Sequence, residues 1–216
     1  MKAKNLLIAF CVLLFNSCVL KSLHPFYVSS AIFFEKSFTG NWVDSKNGKW
    51  DIVALNDEFK KEKEPMSEED KKMFQQYKDG YFIKYVEDKK EATFIGIPFK
   101  VNNQLFIDFN LFEFDTGELN NLVKSNIIET HTVAKLELLN NGSVSLKWLD
   151  EDRLSELFEK NQIQLKHEKV GINKTLVLTG SSKELYKFLK KYLDSDIKNK
   201  WETDKKFTLT RANETP

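Results

Sequence analysis

Tyr81-Phe-Ile-Lys-Tyr-Val86, Ala92-Thr-Phe-Ile-Gly-Ile-Pro-Phe99 and Gln104-Leu-Phe-Ile-Asp-Phe109 are three runs of β-branched and aromatic residues, separated by Asp88-Lys-Lys90 and Asn102-Asn103. Runs of this composition punctuated by short polar pairs read as strands joined by tight hairpins. Thr132-Val-Ala-Lys-Leu-Glu-Leu138 and Ser143-Val-Ser-Leu-Lys-Trp148 continue the series across Asn140-Asn-Gly142, and both alternate cleanly between apolar and polar positions. In the run 92–99 the alternation fails: Phe94, Ile97 and Phe99 surround Gly96 and Pro98, which predicts a bulge or a sheet edge there. The core of the chain is therefore expected to be an antiparallel meander.

Outward from this core, Trp50-Asp-Ile-Val-Ala-Leu55 reads as an earlier strand behind a turn at Asn47-Gly48, a pair suited to positive φ. Residues 56–80 are dense in charge and predict an inserted surface helix over Ser67–Tyr77, with Leu119–Ser125 as another short helical candidate. After Leu149 the pattern becomes mixed: a helix over Asp150–Lys160, a strand pair Gln164–Val170 and Thr175–Thr179, and a helix over Ser182–Leu193. That last helix has a Ser181/Glu184 capping box and one apolar face made of Leu185, Phe188, Leu189 and Tyr192. Phe207-Thr-Leu-Thr210 is a candidate closing strand. The fold class is thus α+β, a mainly antiparallel sheet or barrel-like meander with a C-terminal mixed α/β portion.

The amino terminus carries a different message. Lys2 and Lys4 precede the uncharged run Leu6–Phe15, which Asn16, Ser17 and Cys18 follow, the order of a signal peptide over residues 1–17. The apolar run has about half the ~20 residues needed to cross a bilayer as a helix. Leu14-Phe-Asn-Ser-Cys18 resembles a bacterial lipobox, and the resemblance implies cleavage before Cys18 and acylation of that residue. Cys11 would leave with the leader, so a mature chain would hold a single, lipid-blocked cysteine and no internal disulfide. Acyl chains contribute about 0.8 kcal/mol per buried CH₂, so several on one residue make a lasting anchor. Val19 is not an acidic residue of the kind that retains some lipoproteins at the inner membrane, which points to the outer membrane of a bacterial envelope. Residues 18–37, with Pro25-Phe-Tyr27 and Ile32-Phe-Phe34, are aromatic rather than linker-like and are expected as a membrane-proximal segment; a single globular domain is expected over 38–216.

Several chemistries lack their residues. There is no Gly-x-Ser-x-Gly turn, no free thiol, no phosphate loop and no metal-ligand spacing among His24, His131 and His167, so catalytic residues, metal and cofactor are all expected to be absent. Asp150-Glu-Asp152 stands at a helix start, where carboxylates satisfy backbone N–H groups. The net charge of +1 stays near zero once Lys2 and Lys4 are removed, which gives no footprint for nucleic acid. The 18 Phe, 6 Tyr and 4 Trp either pack a core or line a site for a small apolar ligand. A ligand carrier would be marked by a closed cavity lined by Phe94, Phe99, Phe106 and Trp148 and ruled out by a filled interior, and a hydrolase by His131 or His167 beside a carboxylate in a cleft.

Ser22-Leu-His-Pro-Phe-Tyr27, Phe38-Thr-Gly-Asn-Trp42, Leu105-Phe-Ile-Asp-Phe109, His131-Thr-Val133 and Leu149-Asp-Glu-Asp-Arg-Leu154 together resemble a family of uncharacterised bacterial envelope lipoproteins. That resemblance implies location and fold, with no catalytic residue to transfer. A second one rests on Gly40, Trp42 and Arg211, which resemble the Gly-x-Trp and late arginine of lipocalin-like barrels; it implies a cation–π contact closing one barrel end. The function expected from these readings is a non-catalytic envelope binding or structural protein held to the membrane by its lipid, with an envelope protein as partner. The alternative is a carrier of a small apolar ligand.

Overall fold

The computed structural model describes residues 19–60, 67–114, 122 and 125–212. Cys18, the residues 1–17 expected as a signal peptide and most of the Leu119–Ser125 candidate helix lie outside the described residues. Eight strands close into an antiparallel barrel: β2 (Gly40–Asp44), β3 (Lys49–Ala54), β4 (Tyr81–Glu87), β5 (Lys90–Val101), β6 (Gln104–Phe114), β7 (His131–Leu138), β8 (Val144–Trp148) and β11 (Lys206–Arg211). Neighbours in sequence are neighbours in the sheet, except that β11 inserts between β8 and β2 and so completes the ring. Closure removes the exposed edges that an open meander would leave.

The predicted turns are where the chain reverses. Asp88 and Lys89 have φ of 49° and 64°, and Asn102 and Asn103 have 48° and 62°, so both two-residue loops place two consecutive residues in the left-handed region. This geometry matches the right-handed twist of the flanking strands, and asparagine and aspartate tolerate it best among residues with a Cβ.

Strand β5 explains the broken alternation. Phe94, Gly96 and Pro98 face the barrel interior, while Ile95, Ile97, Phe99 and Val101 face outward and are also buried. The register shift falls at Thr93/Phe94, and β4 pairs with β5 only as far as Gly96. Pro98 therefore lies past the end of β4, on a stretch of β5 whose free side meets only the strap before β2: its carbonyl accepts from Phe33 N–H at 3.0 Å, and Ile32 bridges to Phe99. A proline fits there because no ladder N–H is required of it.

Two layers cover the outside of the barrel. Helices α1 (Leu55–Phe59) and α2 (Glu68–Tyr77) lie over Ile95 and Ile97, with Phe59 and Phe74 meeting edge to face at 5.2 Å. The C-terminal portion packs α3 (Glu151–Glu159) and α4 (Ser182–Asp194) against Phe99, Val101, Phe106 and Val133. Strands β1 (Lys21–Ser22), β10 (Thr175–Leu178) and β9 (His167–Val170) continue the sheet from the start of β7, beyond the point where β8 ends. The capping box of α4 forms as the sequence predicts, and its four apolar residues are buried. The acidic cluster before α3 is structural: Asp150 accepts from Arg153 N–H at 2.9 Å, and Glu151 accepts from Leu176 N–H at 2.7 Å, joining α3 to β10. Residues 19–37 are built into the same body rather than standing off from it, since Leu20 and Phe26 are fully buried and β1 belongs to the sheet. Among the described residues no helix is long and apolar enough to cross a membrane.

Candidate functional site

The two ends of the barrel differ. At one end a 3-10 turn, Lys36–Phe38, folds under the opening, and Trp42 donates from its indole N–H to the Phe38 carbonyl at 2.9 Å. The Arg211 guanidinium lies 3.8 Å from the Trp42 ring centre and donates to the carbonyls of Thr39 (2.7 Å) and Ser37 (2.8 Å). Gly40 has φ of 121°, and a Cβ there would collide with the same guanidinium, so only glycine fits beneath it. This end is plugged. Above it the interior is filled by Ile52, Ile83, Ile107, Leu136, Leu146 and Leu209.

The other end holds a recess of about 240 Å³ lined by Val19, Trp50, Tyr85, Phe94, Phe109, Thr132, Trp148, Lys205 and Phe207. Its wall is almost wholly apolar, and its rings touch in sequence around the opening: Trp50–Tyr85 at 4.6 Å, Trp50–Phe207 at 5.7 Å, Phe207–Trp148 at 5.6 Å, Trp148–Phe109 at 5.2 Å and Phe109–Phe94 at 6.0 Å between centroids. Asp44 fixes one side of this wall. Its carboxylate accepts from Trp50 Nε1 at 2.8 Å and from the N–H groups of Lys46 (2.7 Å) and Gly48 (2.9 Å), holding the β2–β3 turn and the indole together.

The four residues expected to bound one cavity are split between two faces. Phe94 and Trp148 line the recess, whereas Phe99 and Phe106 stack on each other at 5.7 Å on the outer wall beneath the C-terminal layer. The reason is strand periodicity: Phe94 and Phe99 are five apart, an odd separation, and fall on opposite faces. Trp50, Tyr85, Phe109 and Phe207 complete the aromatic wall instead. Each is an inward residue at the same level of its strand, and level depends on register, which alternation in the sequence does not show.

A second cluster joins the strap to the barrel. Asp108, 1% exposed, bonds through Oδ1 to His131 Nδ1 at 2.7 Å and accepts from Phe26 N–H through Oδ2, also at 2.7 Å. Burial pushes the Asp108 carboxyl up, and the His131 and Phe26 bonds oppose that shift. The structure therefore brings His131 beside a carboxylate. The serine paired with it across the strands, Ser22, is fully buried and donates its hydroxyl to the His24 carbonyl at 2.6 Å, so this pair presents no accessible nucleophile. His167 stacks on Phe158 at 4.0 Å and is held at Nδ1 by the Leu165 carbonyl, while His24 is exposed. Among the described residues no three His, Cys, Asp or Glu side chains are grouped to hold a metal ion.

Comparison of the chain with protein-family models, with curated proteins and with solved structures yields no match in any of the three.

Proposed function

We propose that this chain is a lipid-anchored protein of the bacterial envelope that acts by binding, and that its barrel mouth takes the apolar part of a small ligand. The observation that carries this reading is the recess itself. Most of the interior is filled, yet six aromatic rings at one level leave a space of about 240 Å³. A cavity of ~150 Å³ already admits a benzene ring, so a space of this size suits a short hydrocarbon segment or a single ring system rather than a large lipid. Apolar surface left open at a barrel mouth is costly in water and is relieved by an apolar occupant.

Titration of the folded soluble domain with an apolar fluorescent dye, followed by displacement with free fatty acids of graded length, tests this. Saturable binding at one site, abolished by Phe94→Arg with the far-ultraviolet spectrum unchanged, is expected. A folded wild-type protein with no saturable binding overturns it.

A second reading, docking of an envelope protein, is supported by a groove of about 770 Å³ between α4 and the extended residues before β9. Ile163, Leu165, Phe188 and Tyr192 contribute to its lining, and the N–H groups of Ile163, Gln164 and Leu165 have no partner among the described residues. An extended segment of another protein would pair with alternate groups, those of Ile163 and Leu165 or that of Gln164, since successive N–H groups of an extended chain face opposite sides. Crosslinking from Gln164 in living cells that returns only free monomer counts against this reading.

A further inference from the structure

Val19, the first described residue, is itself part of the recess wall. It is held there by a bridge to Asp150, and the next residue, Leu20, donates its N–H to the Leu149 carbonyl at 3.1 Å while its side chain is fully buried. One peptide bond separates Val19 from Cys18, and consecutive Cα atoms across a trans peptide are ~3.8 Å apart. A group on Cys18 would therefore start within one residue of a space lined by Val19, Trp50, Phe94, Phe109, Trp148 and Phe207. Phe112 near the close of β6, and Ile127 and Ile128 just ahead of β7, are exposed apolar residues on the mouth side, while Leu138 and Leu139 are exposed at the far end of β7.

We propose that the barrel mouth faces the bilayer and that its recess takes the proximal part of an acyl chain attached to Cys18. The inference rests on the lipidation proposed above and names the occupant of the recess. An acyl chain is the occupant that fits best, for three reasons on the same few residues. The wall offers no set of polar partners and so selects hydrocarbon. The space matches a short run of methylenes and not a whole second lipid. The chain arrives already tethered, so its effective concentration at the mouth is far above that of any free ligand. The strap from Val19 to Phe26 is pinned at Leu149 and at Asp108, which fixes the point on the barrel from which a chain on the preceding residue would start. A free ligand entering the recess displaces this chain, which couples ligand binding to the way the protein sits on its membrane.

Metabolic labelling with a fatty acid bearing a photoactivatable diazirine near its carboxyl end tests the idea on the full mature protein in its own membrane. After irradiation and proteolysis, the expected result is intramolecular cross-links from the Cys18 peptide to peptides containing Phe94, Trp148 or Phe207, reduced at least several-fold in Phe94→Arg. Label on Cys18 with cross-links only to bilayer lipids, or to surface residues away from the mouth, overturns the inference and leaves the lipidation standing. Absence of label on Cys18 removes the lipidation reading and this inference together.

Discussion

Asp108→Ala is the substitution most exposed to refutation. The side chain receives the Phe26 N–H and holds His131, both at 2.7 Å, in a site with 1% exposure. Its removal orphans a buried backbone donor, which costs about 1–3 kcal/mol, and breaks a charge-assisted bond worth about 1.5–3 kcal/mol. These add to about 2.5–6 kcal/mol, a range that contains the about 3–5 kcal/mol that breaking one side of a buried pair costs, and the narrower range is taken. At about 2–4 °C per kcal/mol for a domain of this size, Tm falls by about 6–20 °C. The loss is local in origin, so hydrogen exchange at residues 22–28 accelerates before the barrel strands open. Thermal melts and exchange at one pH, with His131→Ala and the double variant completing a cycle, measure both quantities. A Tm within ~2 °C of wild type, or additive single variants, would refute the assignment of Asp108 as the clamp of the strap. Asp108→Asn adds a pH signature. Because burial raises the folded carboxyl above its ordinary 3.8, wild-type folding binds a proton, and this group's contribution to stability declines as pH rises through the raised folded value; the Asn variant lacks that decline.

Arg211→Ala removes the contact over Trp42 and two hydrogen bonds to the Ser37 and Thr39 carbonyls, and lowers stability by about 1–2 kcal/mol in urea melts; Arg211→Lys recovers less than half, since an ammonium does not reproduce the fork. Asp44→Ala leaves the Trp50 indole N–H and the Gly48 N–H without their acceptor, costs about 2–4 kcal/mol, and shifts Trp50 emission, whereas Asp44→Asn retains part of the turn. Glu184, bonded to Ser181 and paired with Lys166, is held at about 2 against an ordinary 4.5, so its contribution is present at neutral pH and lost as pH falls from about 4.5 toward 2; in Glu184→Gln the Tm–pH profile is flatter across that window.

Much of the architecture was legible because it depends on local chemistry. Asn102-Asn103 and Asp88-Lys89 mark hairpins through their tolerance of positive φ, and Ser181 with Glu184 marks the start of α4. Of the acidic run at the start of α3, Asp150 caps the helix as its position predicts, while Glu151 accepts from Leu176 N–H on β10 instead. The strand predicted from Gln164 begins at His167, because the partner β10 ends at Leu178; beyond it a single bond, from Thr179 N–H to the Lys166 carbonyl at 3.0 Å, prolongs the pairing, and residues 163–165 lie outside the ladder. Strand β5 defeated the alternation rule because helices cover its outer face, so both faces are apolar for different reasons.

By itself, then, the sequence determined an antiparallel meander with its turns, a capped C-terminal helix and the absence of the motifs of nucleophilic, phosphate and metal chemistry, and it raised the expectation of a leader ahead of Cys18. Only the tertiary structure decided that the meander closes through β11 between β8 and β2, that Asp108 meets both Phe26 and His131, and that Val19, Trp50, Phe94, Trp148 and Phe207 stand at one level around one opening. Composition and period-two patterning report which face of a strand a residue occupies. The height of that residue along the barrel is set by the register and stagger accumulated over eight strands, a sum of pairings between distant segments that no local stretch contains.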